Sequence, residues 1–221
     1  MAARPLIAMS RLAIVGGSII LTAGCGSDAA PSMPTGDSTS TFAALGGDPA
    51  AAAALVLLAP VDMFTAGFLG GEASPTPMPC GGDADATGPP LANTGTFLAN
   101  TRRDLAVQQE IRVYSTPDVA ASAYAAIVGG YTCATSISGG LSLTTPGDVT
   151  ADVSGAAAAT LIGVTTADTE GAAVIVRYQD SVSTYLFVAP PGAAEAASAP
   201  SPVEVAATGT NKIIVGLTPA G

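Results

Sequence analysis

Three segments rich in β-branched and aromatic residues, separated by only a few residues each, most constrain the fold of this chain. They cover residues 160–166, 172–178 and 182–189. This composition favours strands, and the Gln-Asp-Ser connection between the last two segments is typical of a hairpin. Because the connections are short and strands do not alternate regularly with helices, we predict an α+β fold in which a few helices flank a twisted antiparallel sheet.

A further strand is predicted ahead of these three segments. In the stretch VQQEIRVY, Val107, Ile111 and Val113 alternate with Glu110 and Arg112. Alternation of apolar and charged side chains is typical of a strand with one buried and one solvated face. We therefore expect a half-buried strand over residues 107–114.

A capped helix is predicted directly after that strand. Thr116 is a good N-cap, Pro117 suits the first helical position, and Asp118 complements the positive end of the helix dipole. Gly129 and Gly130 predict its end. The expected apolar stripe consists of Ala120, Ala123, Tyr124, Ile127 and Val128.

The remaining segments are less strongly patterned. Residues 50–71 are rich in alanine and leucine, which predicts one or two short helices interrupted at Pro60. Residues 73–90 contain many prolines and glycines and are predicted to form a loop. Residues 190–202 read as a loop or a short helix, and residues 212–217 as a last strand or a closing helix.

The N-terminus has the layout of a secretory signal. Arg4 and Arg11 precede an uncharged run over residues 12–22, which is too short to span a bilayer, since a span needs about 20 residues. The following Leu-Thr-Ala-Gly-Cys resembles the bacterial lipobox, although its Thr22 stands where leucine is commonest. The resemblance implies cleavage after residues 1–24 and diacylation of Cys25.

Lipidation would explain the sequence that follows the cysteine. Each buried methylene of an acyl chain contributes about 0.8 kcal/mol, so two or three chains hold a domain on a membrane. Residues 25–49 are rich in Ser, Thr, Pro and Gly, as expected for a disordered tether. The alternative is an ordinary secretory signal with an incidental cysteine at position 25.

The two remaining cysteines, Cys80 and Cys133, form an even pair in a chain that we expect to be exported. Exported proteins meet an oxidising compartment, which favours a disulfide. Closing a loop of this length would stabilise the fold by about 4 kcal/mol in the chain-entropy model. Two free buried thiols are the alternative.

The charge of the chain argues against nucleic acid as a partner. The sequence has 7 basic and 17 acidic residues, a net charge of −10. Removal of residues 1–24 takes away Arg4 and Arg11 and no acid, which leaves 5 minus 17, or −12. Binding to phosphate backbones or to anionic bilayers through basic patches requires clustered Lys and Arg.

The sequence predicts no catalytic, cofactor or metal site. It contains no histidine, which removes Ser-His and Cys-His pairs and the usual zinc sites. Asp83, Asp85, Thr87 and Gly88 match the first half of an EF-hand loop, but its twelfth position is Thr94 in place of a bidentate glutamate. We therefore expect an acidic surface turn there.

Other polar residues have weaker functional interpretations. Arg102 and Arg103 are the only basic cluster and suit an anionic ligand or a solvated strand edge. Asp168 and Glu170 are expected in a solvated turn. The five tyrosines could line a pocket, but we expect most of them to cover the core. They are Tyr114, Tyr124, Tyr131, Tyr178 and Tyr185.

Taken together, a strand containing QQEIRVYST, a capped helix PDVAASAYAAIVGGYTC that ends at a cysteine, and the following strands, all behind a lipobox, resemble the PknH-like extracellular sensor domain. This domain occurs in actinobacterial receptor kinases and in lipoproteins. The resemblance covers residues 50–217 and implies a ligand-binding cleft without known catalysis. The chain differs from the family in having one cysteine pair after Cys25 and no tryptophan, so Tyr131 would stand in that region.

We therefore predict a lipoprotein on the extracytoplasmic face of the cell membrane with a non-catalytic, sensor-like binding domain. Its partner would be an envelope small molecule, lipid, glycan or protein. One alternative is an enzyme that acts on wall glycan through paired carboxylates. Another is a purely structural surface lipoprotein, for which no concave pocket is expected.

Overall fold

The computed structural model describes most of the chain from Asp48 onward. The described ranges are 48–63, 67–76, 78–86, 88–100, 104–132, 140–192 and 200–217. The predicted signal peptide, Cys25 and the tether up to residue 47 lie outside them. The described residues belong to one compact unit, which spans Asp37–Gly221.

A single antiparallel sheet organises the described residues, and the predicted α+β fold is confirmed. The strands are β1 (Phe68–Glu72), β2 (Ala92–Asn100), β3 (Ala106–Val113), β4 (Ser142–Leu143), β5 (Gly147–Asp148), β6 (Ala158–Thr165), β7 (Glu170–Tyr178) and β8 (Ser181–Ala189). Their order in the sheet is β1-β2-β3-β8-β7-β6-β4, with β5 also paired to β6. The α-helices are α1 (Pro49–Leu55), α2 (Pro117–Gly129) and α3 (Pro202–Leu217), and 3-10 turns cover Pro60–Asp62 and Thr150–Asp152.

The predicted meander of three strands is confirmed as β6, β7 and β8. A two-residue turn at Gln179 and Asp180 joins β7 to β8, and Gln179 adopts the left-handed conformation with φ of 48°. The carbonyl of Asp180 accepts a hydrogen bond from the Tyr114 amide at 2.8 Å. The turn therefore also fixes the end of β3, which pairs with β8 along its whole length.

The predicted strand over residues 107–114 is confirmed as β3, but the expectation that it is half-buried is wrong. Glu110, predicted on a solvated face, is buried together with Val107 and Ile111. One face of β3 packs in the core through Val107 and Ile111, and the other is covered by the loop residues Thr76 and Asp85, which contact Glu110 and Arg112. The charge of Glu110 is accommodated by the ion pair described below.

Helix α2 forms as its sequence predicts. The Thr116 hydroxyl accepts a hydrogen bond from the Val119 amide at 3.3 Å, Pro117 occupies the first turn, and the helix ends at Gly129. Its buried residues are Ala120, Ala123 and Ile127. The small side chains of Ala120 and Ala123 allow the helix to lie close to the sheet.

The N-terminal part of the fold differs from the prediction in two ways. Helix α1 ends at Leu55, and the segment Phe68–Glu72, which we expected to be helical, is strand β1. Strand β2 was not predicted at all, because its sequence ANTGTFLAN lacks an alternating apolar pattern. The local sequence of β2 does not favour a strand strongly. The segment forms a strand because it pairs with β3, which has a strong alternating pattern.

The C-terminal segment forms the closing helix that was one of its two predicted forms. Helix α3 begins at Pro202, ten residues before the predicted start at Lys212. A capping box explains this start, since Ser201 and Glu204 exchange two hydrogen bonds of 2.9 and 3.2 Å. The predicted loop thus ends before Pro202.

The sheet has helices on both faces. Val174 and Val176 of β7 pack in one core cluster with Val205 and Ala206 of α3. Ala173 and Ile175, which alternate with them, pack against α2. A third cluster joins α1 to the far end of β3 and to Ile213 of α3. The apolar residues of β7 therefore face a core on both sides.

Candidate ligand-binding groove

An apolar groove of about 600 Å³ lies between helices α1 and α3. Its size falls within the range of about 300–1,000 Å³ that is usual for small-molecule sites. The lining is mainly aliphatic, and Asp48, Asn211 and Lys212 are its polar residues. The lining residues are Asp48, Ala51, Ala52, Leu55, Val56, Asn211, Lys212, Val215 and Gly216.

The local sequence explains why the two helices leave this space. Asp48 caps α1 by accepting a hydrogen bond from the Ala50 amide at 3.0 Å, and Pro49 occupies the first helical position. The alanines of α1 present little side-chain volume. At the other end the helices approach closely, because a Cβ built at Gly216 would lie 2.5 Å from Cγ1 of Val56.

Two large aliphatic side chains of the groove face solvent. Leu55 is 83% exposed and Val215 is 66% exposed. Exposed apolar side chains grouped around a concavity are typical of a surface that contacts another molecule. The groove is therefore suited to an apolar ligand group.

Lys212, which lines the groove, is held by groups of this chain. Its Nζ donates hydrogen bonds to the carbonyl of Leu57 at 2.8 Å and to Oδ2 of Asp62 at 2.6 Å. The Asp62 carboxylate also accepts a hydrogen bond from the Ala59 amide at 2.7 Å. Because the ammonium charge is paired, the groove does not select strongly for an anionic ligand.

A second polar feature lies on the other face of the sheet, where Arg112 joins two carboxylates. Its Nε donates to Oε1 of Glu110 at 3.0 Å, and its Nη1 donates to Oδ1 of Asp85 at 3.3 Å. The other oxygen of Glu110 accepts a hydrogen bond from the Thr76 amide at 2.8 Å. This cluster ties the segment over residues 73–90 to strand β3, and the described residues of that segment form the predicted loop.

The geometry of this cluster does not suit catalysis by paired carboxylates. The space beside Glu110 and Arg112 has a volume of only about 10 Å³, which is too small for a sugar ring. Burial lowers the pKa of Arg112, but Glu110, Tyr114 and Asp85 together raise it by more, so the net pKa is raised and the guanidinium stays charged. The role that the contacts support is to hold the loop.

Three of the five tyrosines belong to the core, as predicted for most of them. Tyr114, Tyr131 and Tyr185 are buried, and Tyr124 and Tyr178 are partly buried. Burial raises the pKa of Tyr114 and of Tyr185 to about 12 and also raises the pKa of Tyr131. Tyr131 lies at the end of α2, where the resemblance placed it.

The other residues singled out from the sequence are dispersed. Asp168 is exposed in the turn between β6 and β7, as expected, whereas Glu170 begins β7 and accepts a hydrogen bond from the Gly192 amide at 2.8 Å. Asp83 accepts a hydrogen bond from the Asp85 amide at 2.9 Å within a turn. In the described ranges, no three His, Cys, Asp or Glu side chains form a cluster that could hold a metal ion.

The predicted disulfide is only half described. The amide of Cys80 donates to the carbonyl of Gly130 at 2.9 Å, so Cys80 lies beside the end of α2. Cys133 lies outside the described residues, as do Arg102 and Arg103. Pairing of the two cysteines stays a prediction. Among the helices that the structure describes, none is both long and apolar enough to cross a bilayer.

Sequence reasoning did not identify the groove. Its lining comes from two segments that are about 150 residues apart in the chain and that were predicted only loosely. The one available signal was the run of five alanines in Pro49–Leu55, which marks a helix with little side-chain volume. Which element faces that helix is decided by the tertiary fold.

Comparison with known proteins supports the architecture. No protein-family model matches the chain. A search of curated proteins likewise gives no match. Among solved structures, the fold is similar to the extracellular domain of PknH from Mycobacterium tuberculosis, with a TM-score of 0.53 and 12% sequence identity. The match covers 73% of this chain and 94% of that domain.

Proposed function

We propose that this chain is a lipid-anchored protein of the cell envelope whose folded domain binds an apolar ligand outside the membrane and does not catalyse a reaction. The similarity of fold to an extracellular domain supports an extracytoplasmic location. The lipobox-like sequence before Cys25 supports the anchor. The groove between α1 and α3 is the single observation that carries the binding role.

The position of the groove fits an anchored domain. Helix α1, which forms one wall, begins at Pro49, the last residue of the segment 25–49 that we interpret as a tether. A flexible chain of the 23 residues from Cys25 to residue 47 has a root-mean-square length of about 25 Å. The N-terminus of α1 would therefore stay close to the membrane surface, where molecules with acyl chains are concentrated.

A disulfide between Cys80 and Cys133 completes the proposal. The contact of Cys80 with Gly130 supports it, because Gly130 is only three residues from Cys133 in sequence. The bond would attach the loop over residues 73–90 to the end of α2. Together with the Glu110–Arg112–Asp85 cluster, it would hold this loop at two points.

Photolabelling in isolated membranes tests the binding role. We would add a fatty acid carrying a diazirine to membranes that contain the full chain, irradiate, and locate the label by peptide mass spectrometry. Label is expected on peptides from α1 and α3. Isolated membranes are used because living cells could incorporate the probe into the anchor on Cys25.

The groove-filling variant Ala51→Trp is expected to lose most of this label, because the indole would occupy the groove. The matched control is Ala125→Trp, which adds the same side chain at an exposed position of α2. Equal labelling of α1 and α3 in the wild type and in Ala51→Trp would contradict the proposed site.

A further inference from the structure

Strand β1 forms one edge of the sheet. Within the part of the chain that the structure describes, it pairs with β2 on one side and has no strand on the other. An uncovered edge presents backbone N–H and C=O groups that can pair with another strand. Protective features are few in its sequence FLGGE, which has no proline or lysine and a single charge, Glu72, at its end.

The face of the sheet beside this edge is apolar and shallow. Leu69 is 65% exposed, and Phe97 of β2 is 38% exposed. A groove of about 580 Å³ lies next to them, lined by Leu69, Gly70, Gly71, Phe97, Ala99, Asn100 and Ala106. In the register of β1 with β2, Leu69 is opposite Ala99 and Gly71 is opposite Phe97.

Leu69 and Gly71 form a projection and a recess on the same face. They are two residues apart in a strand, so their Cα–Cβ directions point to the same side of the sheet. A Cβ built at Gly71 meets no described atom within 4 Å. Space is therefore available above Gly71, beside Phe97, for an aliphatic side chain from a partner.

This spacing is self-complementary. If two β1 strands pair antiparallel about a twofold axis at Gly70, Leu69 of each copy lies opposite Gly71 of the other. Gly70 then faces its own copy on the axis, where no side chain can clash. A twofold interface requires such matching, because one surface patch must complement itself.

The charges are compatible with the same register. Glu72 of one copy would lie opposite Phe68 of the other, so the two carboxylates do not face each other. Like charges directly opposite in a sheet are destabilising. The net charge of −10 on each chain still opposes association at long range, and this repulsion weakens as salt is added.

We propose that β1 is a homodimerisation edge, at which a second copy of this chain adds its own β1 antiparallel with Gly70 on the twofold axis. The two sheets become continuous, and each Leu69 fills the recess above Gly71 of the partner. This inference is independent of the ligand in the groove between α1 and α3.

Cysteine cross-linking of the full chain in membranes tests the register. Opposite residues of an antiparallel pair have Cβ atoms about 4.5–5.5 Å apart, whereas diagonal neighbours are about 7–8 Å apart. Gly70→Cys is therefore expected to give a disulfide-linked dimer under a mild oxidant, and Gly71→Cys much less. Both sites accept a Cβ, since the nearest atom to one at Gly70 is Cδ2 of Leu98 at 3.7 Å.

Controls separate the proposed contact from other causes of dimerisation. The wild type reports any linkage through Cys25, Cys80 or Cys133. Leu69→Ser in the Gly70→Cys background should remove most of the linked dimer, whereas Leu55→Ser, at another exposed leucine, should not. Equal linkage by Gly70→Cys and Gly71→Cys, linkage to a different protein, insensitivity to Leu69→Ser, or no linkage of Gly70→Cys above the wild type would each overturn the proposal.

Discussion

At the scale of single residues, the Glu110–Arg112 pair decides how the loop over residues 73–90 is held. The side chains are 5% and 13% exposed, so both charges are largely removed from water. Burial of a charge is costly unless a partner compensates it. Two groups of the loop are the further partners: Asp85 accepts a hydrogen bond from Arg112, and the Thr76 amide donates one to Glu110. These contacts connect the loop to the pair.

Glu110→Gln is expected to lower the free energy of unfolding by about 3 kcal/mol, because it leaves the buried Arg112 with Asp85 as its remaining charged partner. Urea denaturation measures the effect. Asp168→Asn, in an exposed turn, is the control and should change stability by less than about 0.5 kcal/mol. A loss no larger than that of the control would show that the pair does not hold the loop.

The burial of Tyr185 is expected to make the stability of the fold sensitive to alkali. The pKa of Tyr185 is raised by burial to about 12, above the value of about 10 in an unfolded chain. Neutral Tyr185 therefore leaves the free energy of unfolding at its full value below pH 10. That free energy falls as the pH rises from 10 towards 12, because the unfolded chain releases the tyrosine proton first. Because one pKa unit corresponds to about 1.4 kcal/mol, the loss is roughly 3 kcal/mol.

Denaturation at several pH values checks this expectation. Tyr185→Phe removes the ionisable hydroxyl, so its stability should fall less steeply than that of the wild type between pH 10 and 12. Buried Tyr114 and Tyr131 leave a residual slope in the variant. Parallel profiles for the two proteins would contradict the assignment.

At the scale of elements, the packing of α3 on the sheet depends on one glycine. A Cβ built at Gly209 would overlap the hydroxyl and ring of Tyr185 in β8. The backbone of α3 therefore lies directly on the tyrosine ring. The Tyr185 hydroxyl also accepts a hydrogen bond from Nε2 of the buried Gln109 at 3.4 Å.

Gly209→Ala is expected to destabilise the fold, by about 1–3 kcal/mol, although alanine favours a helix by about 1 kcal/mol over glycine. The matched control is Gly129→Ala in α2, where an added Cβ meets no described atom within 4 Å. Thermal unfolding compares the two. A stabilised Gly209→Ala variant would show that α3 does not lie against Tyr185.

Elements with consistent local signals were predictable from the sequence, and the others were not. Helix α2 has a cap, a proline at its start and glycines at its end, and β6 to β8 combine β-branched residues with short turns. Strand β2 has none of these signals and forms by pairing with β3. In α3 the poor helix formers Thr208, Gly209 and Thr210 concealed a helix that Ala206 and Val205 anchor in the core.

At the scale of the whole molecule, the candidate groove was not predictable because its volume arises from side chains that are small. The alanines on α1 leave space, and Gly216 on α3 allows the close approach, only when the two helices meet. No periodicity or motif in the sequence indicates that helices α1 and α3 come into contact. The charged cluster was missed for a related reason, since Asp85 and Arg112 lie 27 residues apart and meet through the tertiary fold.

In the molecule that we propose, an anchored N-terminus precedes a sheet with two surfaces for other molecules. The groove between α1 and α3 would take an apolar ligand, and the β1 edge would take a second copy. These surfaces involve different elements, so ligand binding and dimerisation can be tested separately. The proposed ligand binding depends on the domain being presented outside the membrane.

The intact mass of the protein taken from its native membrane tests that central claim most directly. The account predicts a chain that begins at Cys25 and carries the mass of two or three acyl chains, with two thiols that react only after reduction. A chain without acyl mass, or one whose Cys80 and Cys133 react with a thiol reagent before reduction, would contradict it.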